Sequence, residues 1–385
     1  MIKRQLQKKC IKFSKQYPVV TITGPRQSGK TTLAKVCFPK MPYVNLEEPD
    51  KRNLAIEDPR GFLSSYPDGA ILDEIQRTPE LPSYIQSIVD SSEMKGLFIL
   101  TGSQQFEISH SISQSLAGRT ALIKLLPFNL AELESAGELP LLDNLLLQGF
   151  YPRIYKEKLD ARVFYMNYFE TYVQRDLRQL SQIDNLHLFD KFVRVLASRI
   201  GQLLNYNSLA NDIGVSQPTI SKWISLLEAG YIAFLLPPFY RNIGKRLIKT
   251  PKVYFYDVGL ATYLLGIENI RQLESHPLRG NIFENLVIME FLKYRFNQAK
   301  TSNLFFYRDR TGNEIDLVIQ EAVSLIPVEI KSAKTFNLDF CRGIKSFKKL
   351  FGPEIKQSFI IYSGDEKHTH QKITFLPWKE LLHLL

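Results

Sequence analysis

Three sets of residues combine side-chain types and spacings that could do chemistry. The first is Gly24-Pro25-Arg26-Gln27-Ser28-Gly29-Lys30-Thr31, which fits the phosphate-loop pattern G-x-x-x-x-G-K-[ST]. Backbone N–H groups in such a turn curl around a phosphate, and the positive end of the following helix adds to the attraction. Gly24, Pro25, Arg26, Gln27, Ser28, Gly29, Lys30, Thr31 and Thr32 are therefore expected to hold the phosphates of a nucleotide. Lys30 would reach the β- and γ-phosphates, and the Thr31 hydroxyl would ligate Mg²⁺. Downstream, Gly69-Ala70-Ile71-Leu72-Asp73-Glu74 is a small apolar run ending in two acids. An acid at the tip of a buried strand suits a Mg²⁺-holding aspartate, here Asp73, and Glu74 beside it would orient or deprotonate an attacking water. Ser103 or Gln104, which follow the run over residues 96–101, would stand between these acids and the γ-phosphate. Arg119 is either a transition-state arginine, acting in cis or on a neighbouring subunit, or a surface residue ahead of a strand.

The second set lies between residues 208 and 256. A short helix, a turn at Gly214 and a second helix from near Pro218, with Ser216 as its N-cap, read as a helix-turn-helix. Ile220, Ile224 and Leu227 are expected inside. Gln217, Thr219, Ser221 and Lys222 are expected outside, where such side chains can read base edges. Residues 231–236 and 252–256 look like two wing strands. The segment between them carries Arg241, Lys245 and Arg246, suited to DNA phosphates. A winged helix of this kind could equally serve as a protein-interaction module, because fold alone does not fix function.

The third set is carboxyl-terminal. Glu284 lies on an amphipathic helix over residues 281–292, and Asp316 opens the apolar half of a hairpin return. Glu329 and Lys331 share one face of a strand over residues 326–331, because strand side chains alternate. A helix glutamate, a strand aspartate and a Glu-x-Lys resemble the PD-(D/E)xK core of restriction-endonuclease-like domains. By that resemblance Asp316 and Glu329 would hold Mg²⁺, Glu284 would help through water or a second metal, and Lys331 would orient the nucleophilic water. Such domains act either as nucleases or as catalytically silent platforms.

Elements must position these groups. Val19-Val20-Thr21-Ile22-Thr23 reads as a buried strand feeding the phosphate loop, and residues 32–36 as the opening of a helix. Residues 1–16 read as an amphipathic helix, and residues 42–46, 69–74, 96–101 and 121–126 as further strands. Phe164, Tyr165, Tyr168, Phe169, Tyr172 and Val173 recur on a helical period and read as core packing. The organisation expected is a nucleotide-binding module over 1–135, a helical lid-like region over 136–203, a winged helix over 204–270 and a nuclease-like α/β domain over 271–385. The chain has 385 residues, 44% hydrophobic and 23% charged, ordinary for a globular protein with a large core. No apolar run is long enough to span a bilayer, and no signal-peptide pattern follows the basic start. Cys10, Cys37 and Cys341 are far apart and odd in number, and read as reduced thiols of a cytoplasmic protein. The net charge of +10 favours a polyanionic partner.

Several further motifs carry a family resemblance. Asp58-Pro59-Arg60-Gly61-Phe62-Leu63, Leu72-Asp73-Glu74-Ile75-Gln76-Arg77, Leu100-Thr101-Gly102-Ser103 and Leu116-Ala117-Gly118-Arg119 resemble a prokaryotic group of AAA-type ATPases, similar to archaeal ATPases, with a carboxyl-terminal domain of unknown function. Gly149-Phe150-Tyr151-Pro152 and Tyr172-Val173-Gln174-Arg175-Asp176-Leu177 resemble the same group. The resemblance covers nearly the whole chain. It implies a five-stranded parallel sheet with helices on both faces, ATP and Mg²⁺ as ligands, ATP hydrolysis, and Arg175 as a second arginine that could contact nucleotide across a subunit boundary in a homo-oligomer. The group often has a second serine after Thr-Gly-Ser. Gln104 stands there in this chain, which leaves the identity of the sensing residue open.

Overall fold

The computed structural model describes residues 2–103, 115–137, 139–176, 185–240, 250–309 and 311–381, without the side chains of residues 174–176. Gln104, Arg241, Lys245, Arg246 and the side chain of Arg175 therefore lie outside the described residues. The chain divides into two compact units. One comprises Met1–Phe128, Ala229–Tyr231 and Arg295–Lys300; the other comprises Asn129–Glu228, Ile232–Tyr294 and Thr301–Leu385.

The first unit contains strands β1 (Val19–Thr23), β2 (Tyr43–Asn45), β3 (Ala70–Asp73), β4 (Phe98–Gly102) and β5 (Thr120–Lys124). All pair in parallel, in the order β2-β3-β4-β1-β5. Its helices are α1 (Gln7–Ser14), α2 (Lys30–Cys37), α3 (Pro49–Glu57), α4 (Pro59–Ser64) and α5 (Leu81–Asp90). Every residue of β1, β3 and β4 is buried. Parallel strands covered on both faces read as continuous apolar runs for this reason. Alternate side chains feed two cores. Val19, Leu72, Phe98 and Leu100 pack with Phe62 of α4 and Ile85 of α5. Val20, Ile22, Ile71 and Ile99 pack with Cys10 of α1 and with Leu33 and Ala34 of α2. The register aligns Thr21 with Leu100, and Leu100 with Leu72, so the carboxyl ends of β1, β3 and β4 emerge side by side. The first helix is shorter than expected, Gln7–Ser14, and Arg4 and Leu6 ahead of it are buried.

The second unit begins with short helices α6 (Leu130–Glu134), α7 (Leu142–Gln148), α8 (Pro152–Glu157) and α9 (Ala161–Tyr168), the last continuing in a wider π-helical winding over Phe169–Asp176. Phe164, Tyr165, Tyr168, Phe169, Tyr172 and Val173 are all buried, as core packing requires. Helices α10 (Leu186–Ser198), α11 (Tyr206–Ile213) and α12 (Gln217–Ala229) follow, then the antiparallel pair β6 (Ala233–Leu236) and β7 (Lys252–Phe255). Helices α13 (Val258–Leu264), α14 (Ile270–Ser275) and α15 (Arg279–Asn297) lead to a six-stranded sheet. Its strands are β8 (Leu304–Arg308), β9 (Glu314–Glu321), β10 (Ser324–Lys331), β11 (Phe359–Tyr362), β12 (His368–His370) and β13 (Ile373–Pro377). The order is β12-β13-β11-β10-β9-β8, with β10, β11 and β13 parallel and the other pairings antiparallel. Ile344 and Phe347 of α16 (Arg342–Phe351) cover one face, against Val318, Leu325, Ile360 and Phe375. Strand β12 carries no apolar alternation to mark it: it is a three-residue polar strand at the sheet edge with His368 and Thr369 exposed. Among the described residues no helix is long and apolar enough to cross a membrane.

Candidate functional site

The phosphate loop leaves β1 at Gly24 and ends at Gly29, the residue that caps α2 in the left-handed region at φ 93°. Gly24 has φ 151°, and a Cβ there would lie 2.1 Å from the Leu125 carbonyl oxygen, so no larger residue fits. Gln27 adopts φ 62°, rare for a side-chain-bearing residue and a local strain of the kind found at ligand sites. Lys30 is buried and folds back on the loop, its Nζ donating to Gly24 O at 3.1 Å and Pro25 O at 2.9 Å. Burial lowers its pKa, while Glu74 and Asp73 oppose that shift. The Ser28 hydroxyl is buried without a hydrogen-bond partner. Thr32, by contrast, is exposed.

The acids at the end of β3 meet this loop. Thr31 Oγ1 donates to Asp73, 3.1 Å from Oδ1 and 2.9 Å from Oδ2. Tyr43 of β2 donates its hydroxyl to Asp73 Oδ2 at 2.8 Å, and Thr101 of β4 donates to Oδ1. Asp73 thus gathers hydroxyls from the helix and both neighbouring strands. Glu74 is turned out of the strand by a left-handed backbone, φ 57° and ψ 48°. Its Oε2 accepts from Ser103 Oγ at 3.2 Å and from Gln76 Nε2, and Gln76 Nε2 is also 3.4 Å from Ser103 Oγ. The other amide atom, Gln76 Oε1, is buried without a partner. Arg26 pairs with Glu47 at 3.0 Å.

The residues fit a nucleotide with its magnesium ion. An orphaned hydroxyl in the loop, a glycine cradle closed to any side chain, a buried ammonium and an aspartate in contact with the Thr31 hydroxyl make a donor set for phosphate beside an oxygen set for a hard cation. Sequence reasoning did not find Tyr43, Thr101, Gln76 or Arg4. Arg4 donates from Nη1 to Ser28 O at 2.7 Å and from Nη2 to Leu126 O, gripping the loop from behind. Arg119 must be corrected as a residue acting in cis. Its carbonyl accepts from Val19 N, at the start of β1, while the phosphate loop follows the other end of that strand. Its guanidinium is bound to Asp90, with Nη2 2.8 Å from Oδ2.

In the second unit the expected carboxyl-terminal residues come together, with additions. Lys331 Nζ lies 2.7 Å from Glu329 Oε1 and 3.6 Å from Asp316 Oδ2. Asp316 Oδ2 also accepts from Ile330 N at 2.8 Å, which fixes it across the β9–β10 pair. Glu284 on α15 accepts from Tyr254 OH at 2.5 Å and from Lys252 Nζ at 3.2 Å, both on β7. The Lys252 ammonium also touches Glu314. Burial and the Asp316 charge push Glu284 up to about 7 and Glu329 up to about 8. Glu329 Oε2 is buried without a partner. Among the described residues no three His, Cys, Asp or Glu side chains are grouped so as to hold a metal ion. Lysine ammoniums, rather than open space, stand against Asp316, Glu329 and Glu284.

The residues over 214–227 follow the expected burial pattern except at Thr219. Gly214 turns at φ 87°, and Ser216 Oγ accepts from Thr219 N at 3.3 Å. Ile220, Ile224 and Leu227 are buried together with Trp223, while Gln217 and Lys222 are exposed and Thr219 is half-buried.

The parallel sheet with its phosphate loop and strand-end acids defines a phosphate-loop ATPase of the AAA type, and residues 16–134 match the AAA domain family. Residues 139–271 match a domain of unknown function, DUF8612, and residues 279–381 another, DUF4143. The chain belongs to the same family as the protein Rv2008c of Mycobacterium tuberculosis, to which it is 30% identical over 355 residues, 91% of this chain and 77% of that one. The protein MJ1637 of Methanocaldococcus jannaschii is 23% identical over 419 residues, covering 95% of this chain and 85% of its own. Among solved structures, the Walker-type ATPase PABY2304 of Pyrococcus abyssi aligns with 69% of this chain and 96% of its own at 16% identity and a TM-score of 0.44.

Proposed function

We propose that the chain is a Mg²⁺-dependent ATPase whose nucleotide state is coupled to a DNA-binding second unit. The observation that carries the first half is the contact of Thr31 with Asp73 beside a Glu74 held by Ser103 and Gln76. Gly24, Pro25, Arg26, Gln27, Ser28, Gly29 and Lys30 bind the phosphates, with Thr32 at the helix start. Thr31 and Asp73 hold Mg²⁺, which when bound neutralises charge on the β- and γ-phosphate oxygens. Lys30 gives up its bonds to Gly24 O and Pro25 O to meet those oxygens. Glu74 Oε2 takes the proton of the attacking water, and Ser103, which touches the same oxygen, orients that water. Turnover by the wild type with Mg²⁺, and none without it, supports the reading; phosphate release that is indifferent to EDTA rejects it.

The second half rests on the helix-turn-helix followed by the β6–β7 pair, read as a winged helix with Gln217, Thr219 and Lys222 toward base edges and Arg241, Lys245 and Arg246 toward phosphates. A gel-shift or anisotropy titration tests it. Affinity for duplex DNA that falls steeply with salt is expected, and no binding at low salt rejects it.

One observation favours a further reading, an ATP-gated nuclease. Glu284, Asp316, Glu329 and Lys331 converge as in the PD-(D/E)xK core, with Glu329 Oε2 left without a partner. Metal binding there would require Lys331 to leave Asp316 and Glu329. Plasmid cutting with Mn²⁺ and ATP, lost in Glu329→Ala/Lys331→Ala, supports this reading. No cutting in any condition leaves the restriction-endonuclease-like fold as a platform. Any part played by Arg119 or Arg175 in turnover is assigned to a neighbouring chain of a homo-oligomer.

A further inference from the structure

Where α12 ends, a tyrosine stands in a position that ordinarily takes glycine. Ile232 N donates to Leu227 O at 2.8 Å, the six-to-one bond that closes a helix through a left-handed residue. That residue is Tyr231, with φ 56°. Glycine would adopt this backbone freely, whereas a bulky side chain makes it strained. The Tyr231 side chain must therefore gain enough elsewhere to offset the strain. It is 1% exposed, and its hydroxyl shares a hydrogen bond at 3.1 Å with Thr23 Oγ1, which is also buried. Thr23 is the last residue of β1, and Gly24 of the phosphate loop follows it directly. Ala229–Tyr231 accordingly belongs to the first unit, although the chain before it, up to Glu228, and after it, from Ile232, belongs to the second. This short excursion joins α12 to β6.

We propose that Tyr231 is a positioning residue that relays nucleotide occupancy of the phosphate loop to the end of α12 and the start of β6, a role that rests on reading the loop as a nucleotide site. The relay has two states. In one, the bond to Thr23 holds Tyr231 in the left-handed region, and Ile232 N stays on Leu227 O. In the other, Lys30 has left Gly24 O for phosphate, the adjoining Thr23–Gly24 segment has shifted, and the Tyr231 hydroxyl has lost its partner. Without that bond Tyr231 relaxes toward negative φ, and the Ile232 amide is released from Leu227 O. Nucleotide at the loop thereby alters the segment that joins the helix-turn-helix to the β6–β7 pair. By linkage, a ligand that favours either form of that segment changes nucleotide affinity in return.

Hydrogen exchange of the full-length chain, read by mass spectrometry with and without Mg²⁺ and the β,γ-methylene analogue of ATP, tests this. In the wild type the analogue is expected to protect residues 24–31 and to speed exchange over residues 227–236 by on the order of fivefold, the effect of one hydrogen bond. Tyr231→Phe keeps the ring and removes the hydroxyl. It is expected to retain the protection at 24–31 and to exchange fast over 227–236 whether or not the analogue is present. Thr23→Val removes the same bond from its other side and should behave alike, with no further change in the double variant, while Thr23→Ser should restore the wild-type response. A tyrosine that only supported the fold would raise exchange without abolishing the response to nucleotide. No protection at 24–31 rejects the nucleotide reading and the relay with it. Protection there without faster exchange over 227–236 in the wild type overturns the relay alone, as does a response that survives in Tyr231→Phe. The wild-type comparison decides even where a variant fails to fold.

Discussion

The Arg4 guanidinium donates to the Ser28 carbonyl at 2.7 Å, tying a residue outside any nucleotide motif to the loop that the motif defines. Its other amino group reaches Leu126 O, and the guanidinium lies 5.0 Å from the centre of the Phe128 ring. The loop therefore carries a buried positive charge behind its backbone as well as Lys30 in front.

This relationship predicts that Arg4→Ala weakens nucleotide binding although it removes no phosphate ligand. A charge-assisted hydrogen bond is worth about 1.5–3 kcal/mol, so a loss of affinity of about tenfold or more is expected by isothermal titration. Arg4→Lys should recover part of it. Unchanged affinity with a lowered melting temperature would reduce Arg4 to a purely structural residue.

Within the site, binding and turnover should separate. Lys30→Ala removes the buried ammonium and is expected to abolish measurable ATP binding. Glu74→Gln keeps the hydrogen-bond acceptor for Ser103 and loses only the base, so binding persists while kcat falls by about 10²–10⁴. Equilibrium dialysis and phosphate release read the two quantities independently. Turnover by Glu74→Gln at the wild-type rate would remove Glu74 from its role.

The parts of this site that were legible in the sequence are those contiguous in it. Gly24 to Thr31 and the Asp73–Glu74 pair each sit at the end of one strand, so a local pattern suffices. Tyr43 and Thr101 reach Asp73 only because β3 lies between β2 and β4, and ordinary residue types on other strands carry no local mark. The same holds for Lys252 and Tyr254, which meet Glu284 across 32 and 30 residues of chain. Arg119 is the reverse case. It stands in a family motif, yet it precedes a strand parallel to β1, which puts it at the end of the sheet away from the loop.

Glu228, near the end of α12, should make stability depend on pH. Burial pushes its carboxyl up to about 7, above the ordinary carboxylate range. A carboxyl with a raised folded-state pKa binds its proton more tightly when folded, so its contribution is present at acid pH and is lost as pH rises toward and through 7. Glu228→Gln mimics the protonated form. It should raise the melting temperature at pH 8 more than at pH 5, read by circular dichroism; an equal effect at both would show that the group does not titrate in this window.

Asp257 gives the strongest structural prediction in the second unit. It caps α13 through Gly259 N and Leu260 N, accepts from Phe150 N at 2.8 Å, and accepts from the Tyr165 hydroxyl at 2.6 Å, while only 2% exposed. Burial raises its pKa, and the Tyr165 bond is the largest effect opposing that rise. Tyr165→Phe keeps the ring among Tyr151, Phe164 and Gly259 and removes only the donor. A buried acceptor deprived of a partner costs about 1–3 kcal/mol. The loss falls on the ionised form, so Asp257 rises further, and the stability lost on ionising it grows larger and extends to higher pH. Urea denaturation should therefore give a larger destabilisation at pH 7 than at pH 4, where a protonated Asp257 needs the tyrosine least. A loss independent of pH would mean that the hydroxyl acts mainly through its second acceptor, Gln148 O at 2.9 Å.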